Sequence, residues 1–173
     1  RDLKTTILSE IEGIADDWHS VKGQTASISS LLGALPMGMN GTKPSLDAYQ
    51  VNVTIDTSAD CEIKLSNSVE QAYTVKYLAA TRELVINRGA KTGNTGFHPN
   101  FAIPDMRSSV FSNKEKVTLC LYVDQSNVEV TTDDGSVIMS TLVFPDFIYD
   151  QLMVSGQKAK SKIRNLNRVW KKD

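Results

Sequence analysis

From Asp47 onward the chain is built of short runs rich in Val, Ile, Leu, Thr and Tyr, separated by clusters of Gly, Asn, Asp and Pro. Side chains that alternate apolar and polar with a period of two lie on opposite faces of an extended backbone, so such runs read as strands with one buried face. The predicted strands are Tyr49–Asp56, Cys61–Ser66, Ala72–Ala79, Glu83–Arg88, Val117–Asp124, Val128–Thr132, Ser136–Val143 and Gln151–Val154. The clearest pair is Val117-Thr-Leu-Cys-Leu-Tyr-Val-Asp124 and Val128-Glu-Val-Thr-Thr132, joined by Gln125-Ser126-Asn127. Pairing Val123 with Val128 sets Leu121 opposite Val130 and Leu119 opposite Thr132 on one face. It sets Tyr122 opposite Glu129 and Cys120 opposite Thr131 on the other. A slip of one residue would mix Val123 and Leu121 with Glu129 and Thr131, so burial selects this register. Asp133-Asp134-Gly135 then turns the chain into the next strand and completes a three-strand meander. No long segment in this span holds apolar residues at helical spacing, so a parallel sheet would lack its crossover helices. The economical fold is an antiparallel two-sheet sandwich. The length suits one domain, taken as residues 1–173.

Apolar residues make up 40 % of the chain and charged residues 23 %, enough for an ordered core. Lys and Arg number 19 against 20 Asp and Glu, so the net charge of -1 provides no global field for a phosphate backbone and no nucleic-acid partner is expected. The most apolar stretch, Ile28 to Met39, is interrupted by Ser29, Ser30, Gly33, Pro36 and Gly38. Spanning a bilayer takes roughly 20 apolar residues, so no membrane insertion is expected. Cys61 and Cys120 each sit in an apolar run and read as buried free thiols rather than a bridge. The chain begins at Arg1, which reads as a processed product or an excised fragment. Arg1–Leu8 reads as a strand, and Thr25–Asn40 has no clear assignment. Ile163, Leu166, Val169 and Trp170 fit either a helical stripe or a closing strand.

Enzymatic signatures are absent: there is no Gly-x-Ser-x-Gly elbow, no phosphate-binding Gly loop and no His-Glu-x-x-His. His19 and His98 lie far apart without neighbouring ligands and read as surface or turn residues, so no metal and no cofactor are expected. Asp16-Asp17 and Asp133-Asp134 read as solvated turn carboxylates. In Asp60-Cys61-Glu62 a strand that buries Cys61, Ile63 and Leu65 leaves Glu62 and Lys64 in water. Asn40-Gly-Thr42 and Asn52-Val-Thr54 match the glycosylation pattern, the second inside a predicted strand. Lys158, Lys160, Lys162, Arg164, Arg168, Lys171 and Lys172 read as a solvated basic edge. Arg88 continues the apolar phase of Leu84 and Ile86, so its guanidinium needs a partner. Either a carboxylate such as Asp124 or Glu129 pairs with it, or it meets a ligand.

The stretch Arg82-Glu-Leu-Val-Ile-Asn-Arg-Gly-Ala-Lys-Thr-Gly93, then Phe97-His-Pro-Asn-Phe101, Leu119-Cys-Leu-Tyr-Val-Asp-Gln-Ser-Asn-Val-Glu-Val130, Asp134-Gly135 and Phe144-Pro145 has a family look. With Arg1-Asp-Leu-Lys4 at the start, it resembles the C-terminal β-sandwich module of glycoside hydrolase family 32, the family of levanases, inulinases and invertases. Asn87 stands where that family commonly has Asp, and Gln125 and Thr131 where it has Arg and Phe. The resemblance implies an all-β, concanavalin-like sandwich of two antiparallel sheets, with Ile163–Trp170 as a closing strand. Catalysis in the family belongs to a preceding β-propeller, with one Asp as nucleophile, a second in an Arg-Asp-Pro motif and an acid/base Glu in a Glu-Cys motif. Here Arg1-Asp2-Leu3 lacks the Pro, and Cys61-Glu62 reverses the order. Retaining hydrolysis needs two carboxyls about 5 Å apart, and no motif here supplies them. The resemblance therefore implies a module without catalytic residues, which buttresses the catalytic propeller of the same protein and borders its cleft. A second reading is a module that binds fructan oligosaccharide, for which Arg88, Tyr122, Asp124 and Glu129 are the candidate group. A third is a dimerisation surface. Polymer substrates are met outside the cytoplasm, so the expected location is secreted, periplasmic or cell-surface.

Overall fold

The computed structural model describes residues 17–36, 45–88, 105–109 and 114–166. In chain order the elements are β1 (His19–Ser20), β2 (Thr25–Ser27), α1 (Ile28–Leu32), β3 (Leu35–Pro36), β4 (Ser45–Leu46), β5 (Ala48–Asp56), β6 (Cys61–Ser66) and β7 (Ala72–Leu78). They continue as β8 (Glu83–Asn87), β9 (Asp105–Ser109), β10 (Lys116–Asp124), β11 (Asn127–Thr132), β12 (Ile138–Leu142), β13 (Gln151–Ser155) and β14 (Lys160–Asn165). One antiparallel sheet of six strands has the order β1-β14-β5-β10-β11-β12, and a second has the order β2-β13-β6-β7-β8-β9. β3 and β4 add a short parallel pair. The molecule is thus the all-β sandwich of two antiparallel sheets that the alternation implied.

Alternate residues of both sheets meet between the layers. Tyr49, Val51, Val53 and Ile55 of β5 and Leu119, Leu121 and Val123 of β10 come from one sheet, and Ile63, Leu65, Val75, Leu84 and Ile86 from the other. All are essentially fully buried, and each such side chain contributes about 1.5–3 kcal/mol relative to exposure. Tyr49 and Tyr77 bring their hydroxyls onto backbone carbonyls within this core. Tyr49 Oη donates to the carbonyl of Tyr149 at 2.5 Å, and Tyr77 Oη donates to that of Thr57 at 2.9 Å.

The meander has the expected register, with Val123 opposite Val128, Tyr122 opposite Glu129 and Leu119 opposite Thr132. Thr132 lies on the core face as expected, and its hydroxyl is satisfied there. Its Oγ1 donates to Asp134 Oδ1 at 2.8 Å and accepts from Val137 N at 3.1 Å. Gly135 turns the chain with φ 72°. The strand predicted over Ser136–Val143 is shorter, Ile138–Leu142, because Ser136 N donates to Asp134 Oδ1 and stays in the turn. Both cysteines are buried and free, as read from the sequence.

The unassigned segment resolves into β2, α1 and β3 over its described part. Ser27 Oγ caps the helix by accepting from Ser30 N at 3.3 Å, and Ile28 anchors it in the core. Over Lys160–Asn165 the basic segment is a strand, so the helical alternative fails there, and Leu166 N extends the pairing to Ala48 O. β14 is no solvated edge, since it lies between β1 and β5, and Arg164 is only 5 % exposed. Arg1–Leu8, Asn40-Gly-Thr42, His98, Val169 and Trp170 lie outside the described residues.

Candidate functional site

The outward face of the β5-containing sheet differs from that of its partner. On the other sheet the outward side chains include Glu62, Lys64, Lys76, Glu83 and Arg107, with ion pairs Lys76 Nζ–Glu62 Oε1 and Arg107 Nη1–Glu83 Oε1, each at 3.7 Å. That is an ordinary solvated face. On the β5 side the outward positions run Ala48, Gln50, Asn52, Thr54 and Asp56 on β5 and Lys116, Thr118, Cys120, Tyr122 and Asp124 on β10, so charge on these two strands is confined to their ends. The register lines up one row across the sheet: Arg164, Gln50, Tyr122, Glu129 and Ser140. Gln50 is 3 % exposed although it points away from the core.

A hydrogen-bonded relay holds this row. Arg164 Nε donates to Gln50 Oε1 at 2.9 Å, and Gln50 Nε2 donates to Asn52 Oδ1 at 2.8 Å. Thr54 and Thr118 share a hydroxyl contact at 2.9 Å. The Trp18 ring lies against two cations, 4.4 Å from Arg164 Cζ and 4.5 Å from Lys162 Nζ. An aromatic ring over a guanidinium shields it from water and adds cation–π attraction. At the far end of the row, burial raises the Glu129 carboxyl above the usual range. Burial, with Asp133 adding to it, pushes the Cys120 thiol up to about 11, so this thiol is no nucleophile at neutral pH.

Of the four residues singled out from the sequence, the structure places three, Tyr122, Asp124 and Glu129, on this face. Tyr122 and Glu129 are direct cross-strand partners on this face. Asp124 ends β10, where its Oδ1 accepts from Ser126 N, Ser126 Oγ and Asn127 N at 2.8, 3.1 and 2.8 Å, so it shapes the turn. Arg88 follows β8 in the opposite sheet, is 8 % exposed, and donates from Nη1 to the Leu142 carbonyl at 3.2 Å. Of the carboxylates expected beside it, Asp124 caps its own turn, and Glu129 stands opposite Tyr122 on the outer face of the other sheet. Trp18 and Gln50 escaped the sequence reading, and Arg164 entered it only as part of a solvated basic edge. The available signal was the uncharged outward set Gln50, Asn52 and Thr54 on a strand whose inward set is wholly apolar.

Elsewhere, Thr54, Asp56, Ala59, Lys116, Gln157, Lys158 and Lys160 line an open depression of about 430 Å³. Gln157 fixes its floor by donating to Asp56 O and Ala59 O and accepting from Asp56 N. His19 is exposed on β1, and among the described residues no group of three or more His, Cys, Asp or Glu is placed to hold a metal ion. No described helix is long and apolar enough to cross a membrane.

Comparisons with known proteins agree on one family. The levanase of Bacillus subtilis is 28 % identical over 172 residues, covering 94 % of this chain and 24 % of that protein. An extracellular exo-inulinase of Aspergillus niger is 19 % identical over 177 residues, covering 96 % of this chain and 32 % of its own length. Among solved structures, exo-inulinase from Aspergillus awamori matches with a TM-score of 0.68 at 16 % identity, over 92 % of this chain and 31 % of that one. Sucrose-6-phosphate hydrolase from Lactobacillus gasseri matches at 0.64 and 15 % identity, over 91 % of this chain and 30 % of that one. The chain thus spans about a quarter to a third of the length of these relatives. The family model for the C-terminal region of glycosyl hydrolases family 32 matches residues 16–170, and the chain belongs to that family.

Proposed function

We propose that this chain is the non-catalytic C-terminal β-sandwich of a fructan-hydrolysing glycosidase, and that it buttresses a catalytic propeller and borders its cleft. The observation that carries this reading is the family match over residues 16–170 of a chain that covers only a quarter of the levanase. The rest of such a protein is available to do the chemistry. The arrangement of carboxyls supports it, since the row across the outer face holds the single acid Glu129 and Asp124 is committed to a turn. The test measures hydrolysis of levan, inulin and sucrose by this chain alone and by the chain joined to its catalytic domain. Hydrolysis by the chain alone overturns the reading. The extracellular name of the Aspergillus relative supports an exported parent enzyme, and residues 1–173 are read as one module because the described core is continuous.

The Tyr122–Glu129 pair favours a second reading, fructan binding on the outer face, because an aromatic ring beside a carboxyl is suited to a sugar's apolar face and hydroxyls. Asp124 lies two residues from Tyr122 on the same face and Arg88 follows β8 in the opposite sheet, so the group under test on this face is Tyr122, Asp124 and Glu129. Calorimetry with levan oligosaccharides tests it: an absence of heat at millimolar ligand, or equal affinity in Glu129→Ala, removes it.

A further inference from the structure

Three lysines line the depression at one end of the outer face. Lys116 opens β10, Lys160 opens β14, and Lys158 lies in the turn between β13 and β14. All three are exposed, and among the described residues none of their ammonium groups is in an ion pair. The other sheet shows the ordinary arrangement of a charged face, where Lys76 pairs with Glu62 directly across the ladder and Arg107 pairs with Glu83.

Asp56 is the one carboxylate among the lining residues, and it stands opposite Lys116 in the register. It is engaged elsewhere. Its Oδ1 accepts from Ser58 N at 2.9 Å and from Ser58 Oγ at 2.7 Å, and those bonds, with a smaller pull from Lys116, hold the carboxyl below its usual range. Asp133, one strand beyond, gives its Oδ1 to Thr118 N at 3.2 Å. Three ammonium groups against one ionised carboxylate leave the lining with an excess of two positive charges, in a chain whose net charge is -1. The backbone beneath them is fixed. Gln157 donates to Asp56 O at 2.9 Å and to Ala59 O at 3.0 Å, and accepts from Asp56 N at 2.8 Å. Gly156, which precedes it, lets this turn approach Asp60 more closely than a Cβ would allow. Thr54 adds a hydroxyl to the lining.

We propose that this depression binds a phosphate monoester, with Lys116, Lys158 and Lys160 closing on the phosphoryl group above the turn that Gln157 pins. A phosphomonoester has a second pKa of about 6 and carries nearly two negative charges at neutral pH, which matches the local excess. An ammonium is a compact charge on a flexible stem, so three of them can meet a tetrahedral oxyanion from different sides. The volume of about 430 Å³ lies within the range of about 300–1,000 Å³ of small-molecule sites and leaves room for the organic part of the ester. The lining holds no aromatic ring on which a base could stack, which disfavours a nucleic-acid strand. Tyr122 and Glu129 lie farther along the same face and take no part, so this site stands or falls independently of fructan binding and of any role beside a catalytic domain.

Titrating the 173-residue chain with glycerol 2-phosphate near about pH 7.5, at constant ionic strength and with heteronuclear NMR as the readout, tests the site. The Gln157 side-chain amide and the backbone amides of Ala59 and Lys158 shift together and saturate with a Kd of about 1–10 mM. Lys116→Gln, Lys158→Gln and Lys160→Gln combined weaken binding at least about tenfold, and Asp56→Asn, which removes the opposing charge, tightens it at least about threefold. Lys64→Gln with Lys76→Gln, on the opposite sheet, leaves the affinity unchanged. Methyl sulfate, a monoanion of similar shape, binds at least about threefold more weakly than the phosphate ester. Shifts that fail to saturate or that sodium chloride reproduces, equal affinity for the two esters, unchanged binding in the triple lysine variant, or weaker binding by a folded Asp56→Asn chain overturns the proposal.

Discussion

Replacing Arg164 by Met separates a structural arginine from a solvated one. Methionine keeps the length and most of the apolar stem but removes the guanidinium that donates to Gln50 Oε1 and lies against Trp18. A hydrogen bond from a charged donor contributes about 1.5–3 kcal/mol, and leaving a buried acceptor without it costs about 1–3 kcal/mol. The lost cation–π contact adds about 0.5–2 kcal/mol. Against these stands relief from holding a charge out of water, which is why replacing a buried charge by an apolar group sometimes stabilises. Gln50 decides the balance, because it is 3 % exposed and has no water to turn to. The expected net loss is about 2 kcal/mol, a fall in Tm of about 4–8 °C for a chain of this size. Adding Gln50→Leu removes the orphaned acceptor as well, so the double variant recovers at least about 1 kcal/mol relative to the sum of the singles. Urea titration of the four chains, followed by circular dichroism, measures both quantities. An Arg164→Met chain within about 0.5 kcal/mol of the parent, as for an exposed residue, refutes the relay, and so does strict additivity.

Glu129 gives a pH-dependent case. Burial raises its folded pKa, so the folded chain holds that proton more tightly than the unfolded chain, whose carboxyl titrates near about 4.3. Its favourable contribution is present below that value and lost as pH rises through the folded pKa. Glu129→Gln is therefore more stable than the parent at pH 7, with the gap closing near about pH 4, and urea midpoints at the two pH values check this. Burial pushes both thiols to about 11, so a disulfide reagent at pH 8 labels neither Cys61 nor Cys120 in the folded chain and both in denaturant; rapid native labelling contradicts their burial. Gly156 has φ +92°, and a Cβ there would lie 2.7 Å from Asp60 O, whereas Gly23 has φ +83° and nothing within 4 Å. Gly23→Ala costs about 1–2 kcal/mol for the left-handed backbone alone, and Gly156→Ala costs visibly more in the same titration; equal losses sink the steric argument.

What could be read from the sequence follows from the range over which each interaction acts. The inward set of β10, Leu119, Leu121 and Val123, is fixed by alternation within nine residues, and its partner strand begins three residues later. Register and core face are therefore local properties, and they match the sequence reading residue for residue. Gln50 and Arg164 are 114 residues apart, and they meet only because the last strand inserts between β1 and β5. Nothing within either strand announces that insertion, so a lysine- and arginine-bearing segment reads as solvated edge until its neighbours are known. Arg88 shows the same limit from the other side: its phase marks it as buried, yet one acceptor it reaches is a backbone carbonyl on the facing sheet, a group every residue carries and no motif can single out. The outer face thus combines a legible half, the Tyr122–Glu129 pair inside the meander, with an illegible half, the Trp18–Arg164–Gln50 cluster. Any ligand or partner that needs both halves would be specified by topology rather than by any contiguous stretch of chain.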